Sequence, residues 1–436
     1  MPGPATEISR QPVDRRLRAH FGTPLYRNAY LLLLSAGSTS LLGFLFWALA
    51  ARRYSAEDVG LNSAVLSAMM LVSGVCQMGL TNIFVRYLPT AGRATRRVVA
   101  TSYAATAGLS ALAALVVATT SDKWSPRLAF LGHDGRWLVA FVVGTATWTI
   151  FSLQDGVMTG MRQAKWVPIE NFLFSLAKIA LLVIVASAAP KSGIYIAWVV
   201  PTALSLIPVN LLIFSVIIPR HVLSTGPSRL DLRRVVSFAW GNYVGSLFML
   251  GSTLLLPIVV TNQVGARDTA FFFVSWTIAT SLQLIALTMT TSLTVEVAFD
   301  EGKLRHYCRR TTMQALRLVL PAAGVCVLGA PYILRVFGAS YASEGATLLR
   351  LLAVASIPNV VVALGLSVAR LQHSGRAVLG LQAVQCVLTL GLSFVLIGRL
   401  GIEGVGVAWL VGQVVVAVWL SAGLLRPILF TRSDER

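Results

Sequence analysis

Lys178 interrupts the apolar run 167–188, and with Asn171 and Ser175 it falls at i, i+4 and i+7 on one face of a helix. An ammonium held in hydrocarbon costs about 2.5–3.5 kcal/mol even on insertion scales, so it is expected to face a wet cavity or a polar partner. A cation lining a cavity suits a diphosphate or an acidic sugar; the plainer alternative is a lysine paired with a carboxylate or carbonyl between helices. Asn242, Tyr243 and Ser246 form a second polar patch at i, i+1 and i+4, although small polar residues in membrane helices mostly join helix to helix. Carboxylates that could take up a coupling ion are Asp155, Glu170 and Glu296, each near the end of an apolar run. Arg86, Arg317 and Arg370 lie near one end of their runs and Arg335 and Arg350 near the other, where long side chains reach interfacial water. Arg86 and Arg370 would be the first to meet an anion entering from their side.

Other chemistries have little to stand on. His133 and Asp134 are neighbours between Gly132 and Gly135, which reads as a turn and not as an acid–base pair. No Gly-rich phosphate loop or zinc motif occurs, and Cys76, Cys308, Cys326 and Cys386 have no paired spacing. No enzyme activity, metal or cofactor is therefore expected. Net charge is +19, but the bases lie between apolar blocks, where membrane lipids and topology explain them and nucleic acid does not.

The elements that must position these residues are membrane helices. The chain has 436 residues, 56% hydrophobic and 12% charged, about half the charged fraction of a soluble domain. Its apolar residues fall into blocks of about twenty, the length of one bilayer crossing. Twelve spans are predicted: 28–50, 60–80, 98–119, 137–158, 167–188 and 193–218, then 235–260, 269–295, 314–336, 346–369, 378–398 and 402–425. Residues 1–27 are expected to be largely disordered, 219–234 to link two halves, and 426–436 to form a tail. The termini and the loops after even-numbered spans carry 24 Lys and Arg, against eight in the loops after odd-numbered spans. Both termini are thus expected in the cytoplasm and the protein in the inner membrane.

The halves repeat at an offset of about 210 residues. Tyr54-Ser55-Ala56-Glu57-Asp58-Val59-Gly60 recurs as Val264-Gly265-Ala266-Arg267-Asp268-Thr269-Ala270. Gly193-Ile194-Tyr195-Ile196-Ala197-Trp198 recurs as Gly404-Val405-Gly406-Val407-Ala408-Trp409. Six spans per half make the repeat parallel, giving an all-α membrane protein of two six-helix lobes (28–218 and 235–425) around a central cleft. Pro201, Pro208, Pro257, Pro321 and Pro358 fall inside spans, where each removes a backbone donor and can bend its helix.

At Ala50-Ala51-Arg52-Arg53-Tyr54-Ser55-Ala56-Glu57-Asp58-Val59-Gly60, then Gln77-Met78-Gly79-Leu80, the chain resembles the polysaccharide-transporter branch of the multidrug/oligosaccharidyl-lipid/polysaccharide flippase superfamily. Phe337-Gly338-Ala339-Ser340-Tyr341, Glu344-Gly345-Ala346 and Leu348-Leu349-Arg350 resemble the same family's connection between the ninth and tenth helices. The resemblance implies a flippase that moves a lipid-linked oligosaccharide or polysaccharide precursor from the cytoplasmic to the outer leaflet, through a large cationic cleft. Its partners would be that lipid-linked glycan, membrane lipids, and a glycan polymerase or glycosyltransferases of the same pathway. A drug or cation antiporter on the same fold is the alternative; a membrane glycosyltransferase or ligase is a more distant one.

Overall fold

The computed structural model describes the backbone of residues 24–224, 232–299, 304–372 and 375–425, and side chains within 39–223, 243–290, 304–372 and 375–425. The side chains of Asn242 and Glu296, most of the expected 1–27 segment, the middle of the expected linker and the expected tail lie outside the described residues.

Twelve long helices run α1 (Pro24–Arg53), α2 (Ala56–Cys76), α3 (Thr95–Thr119), α4 (Gly135–Gly160), α5 (Trp166–Val185) and α6 (Gly193–Leu212), then α7 (Leu232–Gln263), α8 (Ala266–Phe299), α9 (Leu304–Arg335), α10 (Ala339–Leu371), α11 (Gly375–Leu400) and α12 (Glu403–Ala422). Each overlaps one predicted span. α6 continues through a π-helical turn, Ile213–Ile217, into Ile218–Ser224, so residues 219–224, expected in the linker, are helical. Eleven of these elements are long and apolar enough to cross a membrane. An even number of crossings puts the start of α1 and the end of α12 on one face, here the terminal face; the opposite one is the far face.

Local chemistry sets the helix ends. Ser55 caps α2, its Oγ accepting from the Asp58 N–H at 3.1 Å, while Glu57 and Asp58 place negative charge in the first turn. Asp134 caps α4 by accepting from the Arg136 N–H at 2.8 Å. α2 ends at the quoted Gln77-Met78-Gly79-Leu80. Gly79 turns with φ +71°, a conformation cheap for glycine, and launches a short amphipathic helix, Leu80–Tyr87, that the span pattern concealed.

The repeat reappears as packing. α1 lies on α5 as α7 lies on α11, α2 on α4 as α8 on α10, and α6 on α4 as α12 on α10. Between lobes, α2 packs against α7 and α8, whereas α1 touches α8 only lightly. The lobes approach tightly at Gly60, where an added Cβ would run into the Ala266 carbonyl oxygen. That contact joins the two copies of the loop repeat.

The core is shared at the far face and split at the terminal face. One cluster runs through both lobes, from Phe46, Val59 and Tyr195 to Phe271, Tyr341 and Trp409. Toward the terminal face it divides into an N-lobe cluster around Phe84, Tyr103 and Val157 and a C-lobe cluster around Cys308, Leu364 and Leu420. The two lobes thus share one core at the far end and own separate cores at the terminal end. Leu204, Ile207, Leu211, Val325, Val387 and Val418 are exposed on the outer surface, as residues that face lipid must be.

Candidate functional site

Lys178 sits on the buried face of α5 with Glu170, Phe174, Ser175 and Leu182. Only 5% of it is exposed. Its Nζ stands 4.0 Å from the centroid of the Trp198 ring, 5.0 Å from Phe174 and 5.1 Å from Phe46. Trp148 and Phe151 pack behind these rings. Each ring face offers about 0.5–2 kcal/mol to a desolvated cation, so three together offset a burial cost of about 3 kcal/mol. The sequence reading offered an open cavity or an ion pair; the structure gives an aromatic cage instead. Phe46 and Trp198 come from α1 and α6, far from Lys178 in sequence, so spacing along α5 could not reveal them.

Below the cage, toward the terminal face, Glu170 is 6% exposed, and both its oxygens are buried without a hydrogen-bond partner among the described residues. Asp155 of α4 is close enough to feel its charge, as is Tyr103 of α3. The Tyr103 hydroxyl and both polar atoms of Gln154 are buried and equally unpartnered among the described residues. Asn171 faces Asp155 and also donates to the Val167 carbonyl at 3.0 Å. The structure therefore brings together Asp155, Glu170 and Asn171 and adds Tyr103, which looked like one more residue of an apolar run. Ser175 is buried on the same face as Lys178.

A cavity of about 360 Å³ lies between the lobes, where α1 passes α8. Trp47 and Trp198 line it from the N-lobe, Thr277 and Ser281 from α8, and Phe44 and Phe337 stack edge to face at 4.9 Å at its far side. Its lining is neutral, where a cationic cleft was expected, because the Trp198 ring stands both in the cavity wall and against Lys178. Arg86 lies instead on the short helix Leu80–Tyr87, 5.7 Å from the Tyr87 ring, and Arg370 in the last turn of α10; both are exposed at the terminal face. Neither lines this cavity.

Hydrogen bonds tie the lobes together around it. Arg52, at the far end of α1, donates from Nε to the Val336 carbonyl and from Nη2 to the Arg335 carbonyl, both at 2.8 Å. Ser125 donates to Asn262 Oδ1 at 2.5 Å, and Asn262 Nδ2 donates to the Trp124 carbonyl at 3.0 Å. Nearer the terminal face, Tyr243 donates its hydroxyl proton to the Val75 carbonyl at 2.6 Å, which makes this member of the α7 polar patch a bridge from one lobe to the other. His133 and Asp134 are engaged locally, the ring bonding to the Ala129 carbonyl and the carboxylate capping α4. Among the described residues no group of three His, Cys, Asp or Glu could hold a metal ion.

Comparison with known proteins fits this geometry. The chain is similar in fold to the lipid II flippase MurJ in an inward closed conformation, with a TM-score of 0.74 and 10% identity over 91% of this chain and 87% of that one. An inward-facing multidrug resistance MATE transporter of the MOP superfamily gives 0.63 and 18% over 89% and 94%. A MOP superfamily transporter from Pyrococcus furiosus gives 0.57 and 17% over 90% and 92%. No curated protein sequence matches the chain. A model of the family described as polysaccharide biosynthesis protein matches residues 25–295, more than half of the chain. The chain thus belongs to the polysaccharide biosynthesis protein family, with a fold similar to that of the MOP superfamily transporter and flippase structures.

Proposed function

We propose that this protein flips a lipid-linked oligosaccharide or polysaccharide precursor from the cytoplasmic to the outer leaflet of the inner membrane by alternating access. The observation that carries the reading is the cavity between α1 and α8, beneath a far face latched by Arg52 and above a terminal end where the lobes keep separate cores. Its indole faces and its serine and threonine hydroxyls suit a sugar, and a thin α1–α8 contact leaves room for a lipid chain to trail into the bilayer. The excess of Lys and Arg on the terminal side supports a cytoplasmic terminal face. Lys178, one ring behind the cavity wall, would meet the phosphate of the carrier once Trp198 moves aside. A glycan polymerase or glycosyltransferases of the same pathway would supply and consume the cargo.

The test is the sidedness of the lipid-linked glycan. A strain lacking this protein and any paralogue is expected to hold the precursor on the cytoplasmic leaflet. Delivery to the outer leaflet at the normal rate would sink the proposal.

The buried carboxylates favour a second reading, a cation-coupled antiporter for small molecules on the same fold. Glu170 is buried with both oxygens unpartnered among the described residues, and the half-buried Asp155 stands close to it, the setting of an intramembrane ion site. Substrate-driven H⁺ or Na⁺ movement in proteoliposomes, lost in E170Q, would favour that reading; its absence with a range of amphipathic cations would reject it.

A further inference from the structure

A second cavity, of about 340 Å³, lies on the terminal face between the α4–α5 connection and the end of α6. Arg162, Lys165, Arg220 and His221 converge on it, and its lining includes no carboxylate. Trp166, Leu212 and Val216 form its apolar wall. None of these residues lines the cavity between the lobes, so whatever sits here rests on the flank of the N-lobe, apart from that cavity.

Two backbone irregularities build this cavity. Arg162 adopts φ +58°, a left-handed conformation that costs a non-glycine residue about 1–2 kcal/mol. The turn is held by Arg162 N–H to Thr159 O at 3.0 Å and Gln163 N–H to Met158 O at 2.8 Å. Glycine would be cheaper at this position, yet a guanidinium stands there. Opposite, the π-helical turn Ile213–Ile217 adds a residue to the α6 spiral just before Arg220 and His221, and such bulges gather at functional sites. His221 Nε2 then donates to the Leu88 carbonyl at 3.0 Å, fixing that wall to the connection after α2. Leading away along α6 is a stripe of exposed apolar residues, Leu204, Ile207 and Leu211.

We infer that this cavity binds the phosphate headgroup of an anionic phospholipid of the leaflet on the terminal face, with an acyl chain lying along the α6 stripe. Clustered cations at headgroup depth attract anionic lipid with about 1 kcal/mol per Lys or Arg; the apolar wall beside them selects a phosphate that carries a chain. The site is independent of what the transporter moves, and its test uses no transport assay.

Purified full-length protein in detergent would be titrated with phosphatidylglycerol, phosphatidylcholine, inorganic phosphate and pyrophosphate, and read by native mass spectrometry and thermal stability. Wild type is expected to retain phosphatidylglycerol over phosphatidylcholine. R162A/R220A is expected to weaken that binding about thirtyfold, while R93A/R97A, which removes two cations elsewhere on the same face, leaves it unchanged. R162G separates ligand from scaffold: it relieves the left-handed strain, so it should melt higher without lipid yet gain less from phosphatidylglycerol. Equal retention of the two lipids, or equal losses in the two double variants, would overturn the site as diffuse attraction. Phosphate or pyrophosphate displacing phosphatidylglycerol at matching concentration would overturn the lipid in favour of a free anion.

Discussion

Lys178 shows how a charge can be buried without a counter-charge. Its cage of Trp198, Phe174 and Phe46 gives the ammonium ring faces, which attract a cation yet leave it open to exchange for a phosphate. K178M keeps the length of the side chain and removes the charge. Replacing a buried charge by an apolar side chain of similar volume is often neutral or stabilising, so thermal stability is expected to hold or rise while transport falls at least tenfold. A parallel fall in both would make the lysine a packing residue only. W198A removes the nearest ring and part of the cavity wall, and is expected to cost about 3 kcal/mol of stability as well as transport, read from melting in detergent and from glycan sidedness.

At the scale of elements, the far-face latch depends on the end of one helix meeting the end of another. α9 finishes at Arg335, and its last carbonyls carry the negative end of the helix dipole. Arg52, finishing α1, reaches two of the carbonyls there with its planar fork. The pair is exposed, so its contribution is discounted to about 1 kcal/mol, roughly a fivefold change in population. R52A is therefore expected to raise labelling of a cysteine placed at Thr277, inside the cavity, about fivefold from the far side. R52K, with one ammonium in place of the fork, should give an intermediate value. All four native cysteines are buried, which keeps the background of this measurement low. Unchanged labelling in R52A would remove Arg52 from the gate.

For the whole molecule, the far-face contact between the lobes depends on Gly60. Any side chain there meets the Ala266 carbonyl and the Ala270 backbone nitrogen, and backbone cannot give way as a flexible side chain can. G60V is expected to drive the lobes apart and cost more than about 3 kcal/mol, an overpacking penalty at the upper end of its range. G108A, where an added Cβ meets nothing within 4 Å, should instead gain up to about 1 kcal/mol from helix propensity. Melting temperatures of the two variants in detergent decide it; a G60V protein as stable as wild type would show that this contact does not hold the lobes together.

Most of the architecture was legible in the chain, because a bilayer imposes a single length and polarity on every crossing. Twelve apolar blocks and a repeat offset are local or periodic properties, and the sequence determined them. The site was legible only in part. Lys178, Glu170 and Asp155 announced themselves as charges in apolar runs, since that cost is paid wherever the partners lie. Their surroundings did not. The Trp198 ring, the Tyr103 hydroxyl, the Val336 carbonyl that receives Arg52 and the neutral lining of the cavity come from helices distant in sequence, and in apolar runs a residue that faces a neighbour looks the same as one that faces lipid. Only tertiary packing decided which of them meet, and so made a caged cation where the resemblance implied a cationic cleft.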